Sequence, residues 1–187
     1  MTLNYAPGWG YLRHSTANKS PGEVLFQMIS AVRFGGNFLF NVGPRPDGSI
    51  DDREGVVLDE LGRWLRQHGV AVHGTQPTGI YNQVSWNQGP TFHYGMWTCR
   101  GRTAYLTLFY YPGDPLVVTG LEPGIVAARI LTTGQPLHVE RLAGNRTLLK
   151  GLPDQPPDPL ATVVEVEFES APQAGQSGGA NWLPPSH

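Results

Sequence analysis

The feature that most constrains this chain is a helix signal followed at once by a short segment that is apolar on both faces, within residues 20–44. Ser20 and Glu23 form a capping box, and Pro21 takes the first helical position, where its missing N–H costs nothing. A glycine pair then ends the helix. The sequence therefore predicts one helix followed by a buried parallel strand at residues 37–42. The apolar residues of these two elements are Val24, Leu25, Met28, Ile29 and Val32, and then Phe38, Leu39, Phe40 and Val42.

A second helix signal occupies residues 51–68. Asp51 with Glu54 predicts an N-terminal cap, and their negative charges suit the positive end of the helix dipole. Gly69 predicts the end of the helix. Apolar residues recur at helical spacing and predict the buried stripe, which consists of Val57, Leu58, Leu61, Trp64 and Leu65.

The predicted strand at residues 37–42 needs neighbours, because a parallel strand forms hydrogen bonds along both edges and needs cover on both faces. Two interpretations are open. In the first, the segment pairs with later antiparallel strands in an α+β domain. In the second, which we favour, the chain holds the last piece of a larger barrel or sheet whose earlier strands are absent from it.

Beyond residue 77 the pattern alternates with period two, which predicts short strands separated by Gly, Pro, Asp or Asn. About seven or eight short strands at this spacing favour an antiparallel β-sandwich. The tail at residues 171–187 is rich in Gly, Ala, Gln, Ser and Pro, and we expect it to be disordered. The predicted strands are residues 80–86, 91–98, 103–110, 116–119, 127–131, 137–142, 147–149 and 162–168.

Composition argues against several classes of partner. The net charge of −2 gives no electrostatic reason to expect nucleic acid or an anionic membrane. No apolar run approaches the roughly 20 residues that span a bilayer, and no signal peptide is visible. The single cysteine, Cys99, excludes an internal disulfide, and the histidines lack metal-ligand spacing. We therefore expect no metal and no other cofactor, and the sequence does not indicate the cellular compartment.

Two loops carry residues that suit a carbohydrate site, and each also has a plainer structural interpretation. Trp9 and Tyr11 lie among glycines, where flat rings can stack on a sugar or simply anchor the loop. Asp47 follows the predicted strand, at the end where α/β folds place ligands. With Gly48 it also fits a side chain that caps its own turn. Local pattern alone favours the structural interpretation of both loops.

An ordered series of motifs runs through residues 2–77. Its members are Thr2-Leu3-Asn4 leading to Trp9-Gly10-Tyr11, then Gly35-Gly36-Asn37-Phe38-Leu39-Phe40-Asn41-Val42-Gly43-Pro44, then Asp47-Gly48-Ser49-Ile50, and then Gly62-Arg63-Trp64-Leu65 with His68-Gly69 and Gly74-Thr75. This series resembles the α-L-fucosidases of glycoside hydrolase family 29, which join a (β/α)8-like catalytic barrel to a C-terminal β-sandwich. Over residues 78–170 the resemblance rests only on position and strand patterning.

The resemblance implies an α/β plus all-β fold class. Residues 1–75 would be the terminal helix-strand-helix portion of a (β/α)8-like barrel, and residues 78–170 an antiparallel β-sandwich. The implied activity is retaining hydrolysis that releases α-linked L-fucose, with this chain as a C-terminal fragment.

The same resemblance implies that the catalytic groups lie elsewhere. A retaining glycosidase needs a carboxylate nucleophile and an acid/base carboxyl about 5 to 5.5 Å apart. The family's nucleophile lies on an earlier barrel strand, and this chain has no Asp or Glu before Glu23, which is already assigned to the helix cap. His14 lies on the loop after Trp9 and could donate a proton, but a surface histidine is the plainer interpretation. We expect no catalytic residue in this chain and no activity from it alone.

The resemblance further implies that Trp9, Tyr11, Phe38 and Asn41 are substrate-binding walls, with Phe38 against the methyl group of fucose. The implied partners are a fucosylated glycan or glycoside, and either a second copy of the chain or the missing N-terminal barrel half. Family members are often secreted, periplasmic or lysosomal. Two other functions stay open: a non-catalytic module whose β-sandwich binds carbohydrate or braces a barrel, and a complete α+β protein of unrelated function.

Overall fold

A computed structural model describes residues 1–5, 8–13, 17–78, 95–119, 121–143 and 145–174. The first helix, α1 (Pro21–Arg33), begins at the predicted capping box. The Ser20 hydroxyl accepts a hydrogen bond from the Glu23 backbone N–H, and the Glu23 carboxylate accepts one from the Ser20 N–H at 2.8 Å. The cap that the sequence predicted for α1 is therefore confirmed.

The second helix, α2 (Asp52–His68), continues into one 3-10 turn, Gly69–Ala71. Asp51 caps it by accepting from the Arg53 backbone N–H at 3.0 Å. The prediction that Glu54 shares this cap is wrong, because its side chain is buried instead. Of the predicted apolar stripe, Val57, Leu61 and Trp64 are buried and Leu58 and Leu65 are half-buried.

Nine short strands follow the helices in the described residues. They are β1 (Gly95–Arg100), β2 (Thr103–Leu108), β3 (Leu116–Thr119), β4 (Leu121–Glu122), β5 (Ile125–Ile130), β6 (Pro136–Leu142), β7 (Arg146–Lys150), β8 (Thr162–Phe168) and β9 (Gln173–Ala174). Seven of them pair antiparallel in the order β1-β2-β8-β5-β6-β7-β3, and β4 pairs with β9. One core contains residues from distant parts of this order, such as Trp97 of β1 and Leu149 of β7. Strands β1-β2-β8-β5 therefore face strands β6-β7-β3 as a sandwich.

The layer of β1, β2 and β8 buries both of its faces. Alternation along β8 sends Val164 and Val166 into the sandwich core, while Val163 points to the opposite face. On that opposite face, Met96 and Tyr105 join Val163 in a second core shared with α1 and α2. The two helices thus pack on the outside of the sandwich, and the predicted alternation in residues 162–168 is confirmed.

Polar contacts fix α2 to the segment that precedes β8. The Trp64 indole N–H donates to the Ala161 carbonyl at 2.8 Å, and both atoms are buried. Arg63 donates to the two carboxylate oxygens of Asp158 at 2.7 and 3.2 Å. Because buried partners satisfy each of these groups, the junction between helix and sandwich is specific.

The prediction of a regular, buried strand at residues 37–42 is wrong. In the structure this segment has no regular strand and forms one parallel bridge, between Asn41 and Thr2. Leu39, which we expected to be buried, is 78% exposed. A parallel strand is regular when other strands form hydrogen bonds along both of its edges. In the described part of the chain, this segment is bridged to one other segment, on one edge. That neighbour is parallel, so pairing with the later antiparallel strands is not observed there.

The other strand predictions are mostly confirmed. Residues 116–119 and 162–168 match β3 and β8, and the predictions at 103–110, 127–131, 137–142 and 147–149 are correct within one or two residues at each end. Of the strand predicted at residues 91–98, the structure describes residues 95–98, and they lie in β1 as predicted. The strand predicted at residues 80–86 lies outside the described ranges. The prediction of a disordered tail from residue 171 is wrong at Gln173–Ala174, which pairs with Leu121–Glu122. The rest of the predicted tail, from residue 175, lies outside the described ranges.

Candidate functional site

The candidate site lies where two parallel backbone segments end. The Asn41 N–H donates to the Met1 carbonyl at 2.9 Å, and the Leu3 N–H donates to the Asn41 carbonyl at 3.2 Å. Because the two segments run in the same direction, the loops that follow them, residues 8–13 and 43–50, leave from the same end. In α/β folds this is the end at which ligands bind.

Asn41 holds the loop that carries Trp9. Its side-chain Nδ2 donates to the Trp9 carbonyl at 2.6 Å, while Trp9 itself is 68% exposed. Gly43 packs so closely on this loop that an added Cβ would lie 2.6 Å from the Gly10 carbonyl carbon and from the Tyr11 nitrogen. The structure therefore brings Asn41 and Trp9 together, with the Asn41 amide engaged by the loop backbone and the Trp9 ring open to solvent.

Phe38 and Tyr11, the other two predicted wall residues, are half-buried in different surroundings. The ring of Phe38 stacks on that of Phe40, with 6.0 Å between centroids and 20° between planes, and it packs against the helical core. The Tyr11 hydroxyl accepts a hydrogen bond from Arg45, which is the main reason why the pKa of Arg45 is raised. Tyr11 is thus fixed between the two loops, and Phe38 is fixed on the side of the helices.

Two carboxylates near these loops are engaged in structural hydrogen bonds. The Tyr5 hydroxyl, and after it the hydrogen bonds from Ser20, lower the pKa of Glu23 to about 2. Asp47 accepts from the Ser49 hydroxyl at 2.7 Å and from the Ser49 N–H at 3.0 Å, and these bonds lower its pKa. The interpretation of Asp47 as the cap of its own turn is therefore confirmed. Neither group is placed to donate a proton at neutral pH.

A small recess that the sequence analysis missed lies between the Trp9 loop and the start of α2. Glu54 is 6% exposed here, and its Oε2 atom has no hydrogen-bond partner among the described residues. Burial, and then the negative charge of Asp51, raise the pKa of Glu54. In the sequence Glu54 is one of several acidic residues at a helix start, and nothing in that pattern marks it as the buried one. The lining residues are Asn4, Tyr11, Leu12, Asn18, Asp51, Arg53 and Glu54.

Cys99, a further candidate, lies apart from this site. Cys99 is buried in the sandwich core, and burial raises the pKa of its thiol. His14 lies outside the described ranges. In the part of the chain that the structure describes, no three His, Cys, Asp or Glu side chains form a group that could hold a metal ion. Over the same residues, no helix is long and apolar enough to cross a bilayer.

Comparison with known proteins shows that the chain is similar to one family of enzymes. Residues 1–70 match the family model of the α-L-fucosidases. The tissue α-L-fucosidase of Mus musculus is 28% identical over 170 residues, which are 86% of this chain and 34% of the mouse protein. The α-L-fucosidase of Dictyostelium discoideum is 25% identical over 120 residues, which are 63% of this chain and 24% of that protein.

Solved structures agree with the sequence matches. The α-L-fucosidase isoenzyme 1 from Paenibacillus thiaminolyticus superposes with a TM-score of 0.75 and 27% identity, over 90% of this chain and 39% of that chain. The family 29 α-L-fucosidase from Bacteroides thetaiotaomicron superposes with a TM-score of 0.76 and 27% identity, over 91% of this chain and 37% of that chain.

The helices on a β-sandwich, with paired loops at one end, thus have the architecture found in a class of glycoside hydrolases. Within that class, the resemblance to the C-terminal part of the α-L-fucosidases of family 29 is confirmed. The matched relatives are glycosidases, as the resemblance implied. The chain spans only part of the length of the curated relatives it matches, 34% of the mouse enzyme and 24% of the Dictyostelium enzyme.

Proposed function

We propose that this chain is the C-terminal part of an α-L-fucosidase whose complete form hydrolyses α-linked L-fucose with retention. Residues 1–75 then form the end of a (β/α)8-like barrel, with residues 37–42 in the position of its last strand. Residues 78–170 correspond to the sandwich domain, whose described strands lie between residues 95 and 168, and that part of the barrel rests on it. The span of 37% to 39% of the solved fucosidases supports this division, because it leaves room for an upstream barrel portion.

The observation that carries the proposal is that residues 37–42 pair with one parallel backbone segment, at Thr2, in the described part of the chain. A strand in a parallel barrel has a hydrogen-bonded partner on each side. Within the described ranges, this segment is bridged only at Asn41, to Thr2. Leu39 on the same segment is largely exposed, as is Phe34 just before it. Large apolar side chains left exposed are typical of a surface that another segment covers, so this edge is where further barrel strands would pair.

The carboxylates for the chemistry would come from the upstream portion. A retaining mechanism needs two carboxyl groups about 5 to 5.5 Å apart across the glycosidic bond. Glu23 and Asp47 are held in structural hydrogen bonds, as described above. Glu54 faces a recess with space on the order of one water molecule, in which a pyranose would not fit. The chain alone is therefore expected to be inactive.

The contribution of this chain to the site would be part of its wall. The exposed ring of Trp9 offers a flat face for the C–H face of a sugar, and Tyr11 and Phe38 supply further aromatic surface. Asn41 would act by positioning, because its Nδ2 is already bound to the Trp9 carbonyl. The proposed partners are a fucosylated glycan or glycoside as substrate and the upstream barrel portion as the structural complement.

Hydrolysis of an aryl α-L-fucoside tests the proposal. We expect no turnover by the purified chain, and turnover when the chain is joined to the upstream portion of a fucosidase such as the Paenibacillus isoenzyme 1. In that fusion, Asn41→Ala should raise KM, while Asn37→Ala, a change at an exposed neighbouring asparagine, should not. Turnover by the chain alone would contradict the proposal. Binding of L-fucose without turnover in either form would instead favour a non-catalytic carbohydrate-binding module.

A further inference from the structure

We propose that the recess between the Trp9 loop and the start of α2 binds one monovalent cation, with Asn4 Oδ1 and Glu54 Oε2 as its protein ligands. Asn4 is 4% exposed, and, like Glu54, it lines this recess. Neither oxygen has a hydrogen-bond partner among the residues that the structure describes. Two buried, unsatisfied acceptors on residues that line one recess define a built site whose natural occupant is positively charged or a hydrogen-bond donor.

The basic side chains nearest to the recess bind other acceptors. Arg53 Nε donates to Asp51 Oδ1 at 2.9 Å, and Arg45 donates to the other Asp51 oxygen at 3.3 Å. Lys19 donates to the backbone carbonyls of Thr2 and Asn4 at 2.8 and 3.0 Å. The charge of Arg53 acts to lower the pKa of Glu54, but burial and the charge of Asp51 outweigh it. A cation in the recess would therefore relieve the cost of burying the Glu54 charge.

Charge and size favour a monovalent ion. The charges of Arg45 and Arg53 balance those of Asp51 and Asp52, so one monovalent ion is enough to balance the remaining charge of Glu54. Ca²⁺ takes about six to eight oxygen ligands and Mg²⁺ keeps several waters, whereas this recess offers two unsatisfied oxygens, Glu54 Oε2 and Asn4 Oδ1. The space is on the order of one water molecule, which leaves room for one ion and not for the several waters of Mg²⁺.

Thermal unfolding in matched salts tests the proposal on the unmodified chain. NaCl or KCl should raise the melting temperature relative to tetramethylammonium chloride at equal ionic strength, since tetramethylammonium is too large for the recess. A site half-filled at about 10 mM would shift the folding equilibrium roughly 20-fold at about 200 mM cation. For a chain of this size that is a rise of roughly 4 to 7 °C.

Two variants separate the site from a general salt effect. Glu54→Gln should abolish the difference between the salts, because it removes the charged ligand. Asp59→Asn removes the same charge from an exposed position on the same helix and should retain the difference. If Glu54→Gln does not fold, sodium-23 line broadening by the unmodified chain, reversed by KCl but not by tetramethylammonium chloride, provides the second measurement.

Two results would contradict the proposed cation site. Equal melting temperatures in all three salts, with no sodium-23 broadening, would mean that the recess holds only water and would overturn the proposal. A rise that occurs with Ca²⁺ or Mg²⁺ and not with Na⁺ or K⁺ would overturn the choice of a monovalent ion. None of these readouts uses fucosidase activity, so they stand apart from the proposed function.

Discussion

Removing Arg63 should destabilise the chain more than removing Asp158, although both changes delete the same ion pair. The side chain of Asp158 is 3% exposed, whereas that of Arg63 is 32% exposed. Arg63→Ala leaves a buried carboxylate whose remaining described bond is to the Leu160 N–H, at 2.8 Å. Breaking a fully buried pair costs about 3 to 5 kcal/mol, and the partial exposure of Arg63 places the expected cost near the lower end, about 3 kcal/mol.

Asp158→Ala should cost about 1 to 2 kcal/mol, because the Arg63 guanidinium that remains is hydrated and still reaches Glu60 at 3.3 Å and Gln67 at 3.1 Å. For a chain of this size the change at Arg63 should lower the melting temperature by roughly 6 to 12 °C. Urea unfolding followed by tryptophan fluorescence measures both costs. Arg66→Ala, an exposed change on the same helix, is the control and should lie within about 0.5 kcal/mol of the unmodified chain.

The pH dependence gives this prediction a second readout. Burial acts to raise the pKa of Asp158, but the hydrogen bonds from Arg63 and from the Leu160 N–H outweigh burial and lower it. A lowered carboxyl pKa stabilises the fold above the pKa of the unfolded chain, and this stability is lost as the pH falls through the folded pKa. Burial is the largest single influence, so Arg63→Ala should leave the pKa of Asp158 raised, and the cost of this change should shrink as the pH falls and Asp158 is protonated. Equal costs for Arg63→Ala and Asp158→Ala, with the cost of Arg63→Ala unchanged by pH, would refute this reasoning.

Three further predictions concern the same core and loops. His68 is buried, and burial lowers its pKa below the ordinary histidine value of 6.5. The free energy of unfolding should therefore fall as the pH drops below about 6.5. His68→Phe should remove this pH dependence, which urea unfolding midpoints measured at several pH values would show. Gly43→Ala should cost about 1 to 3 kcal/mol in thermal unfolding because its Cβ meets the Gly10 backbone, whereas Gly55→Ala, with open space in α2, should stabilise by about 1 kcal/mol. Trp64→Phe should cost about 1 to 2 kcal/mol in the same assay, because the buried Ala161 carbonyl loses its hydrogen bond.

Features set by neighbouring residues could be predicted from the sequence. The capping box at Ser20 acts over three residues, and the alternation in residues 162–168 is a local period, so both were correct. The same applies to Asp47, whose partner Ser49 is two residues away. Local chemistry determines such features, and the structure confirms them.

Features set by contacts between distant segments could not be predicted in this way. The apolar run at residues 37–42 is typical of a buried strand, but burial depends on neighbours that this segment lacks in the described ranges, so Leu39 is exposed. The Asn41 side chain binds a carbonyl 32 positions away in the chain, and no local pattern indicates that contact. The burial of Glu54 likewise depends on the Trp9 loop, which packs over the start of α2.

Hydrogen exchange at the backbone amides of residues 38–40 is the most direct test of the open barrel edge. The account predicts that these amides exchange at nearly the rate of an unstructured peptide, while those of β2 and β8 in the sandwich are strongly protected. It also predicts protection at residues 38–40 once the upstream barrel portion of a fucosidase is joined to the chain. Protection at residues 38–40 in the separate chain equal to that of β8 would contradict the account, because the edge would then already be paired.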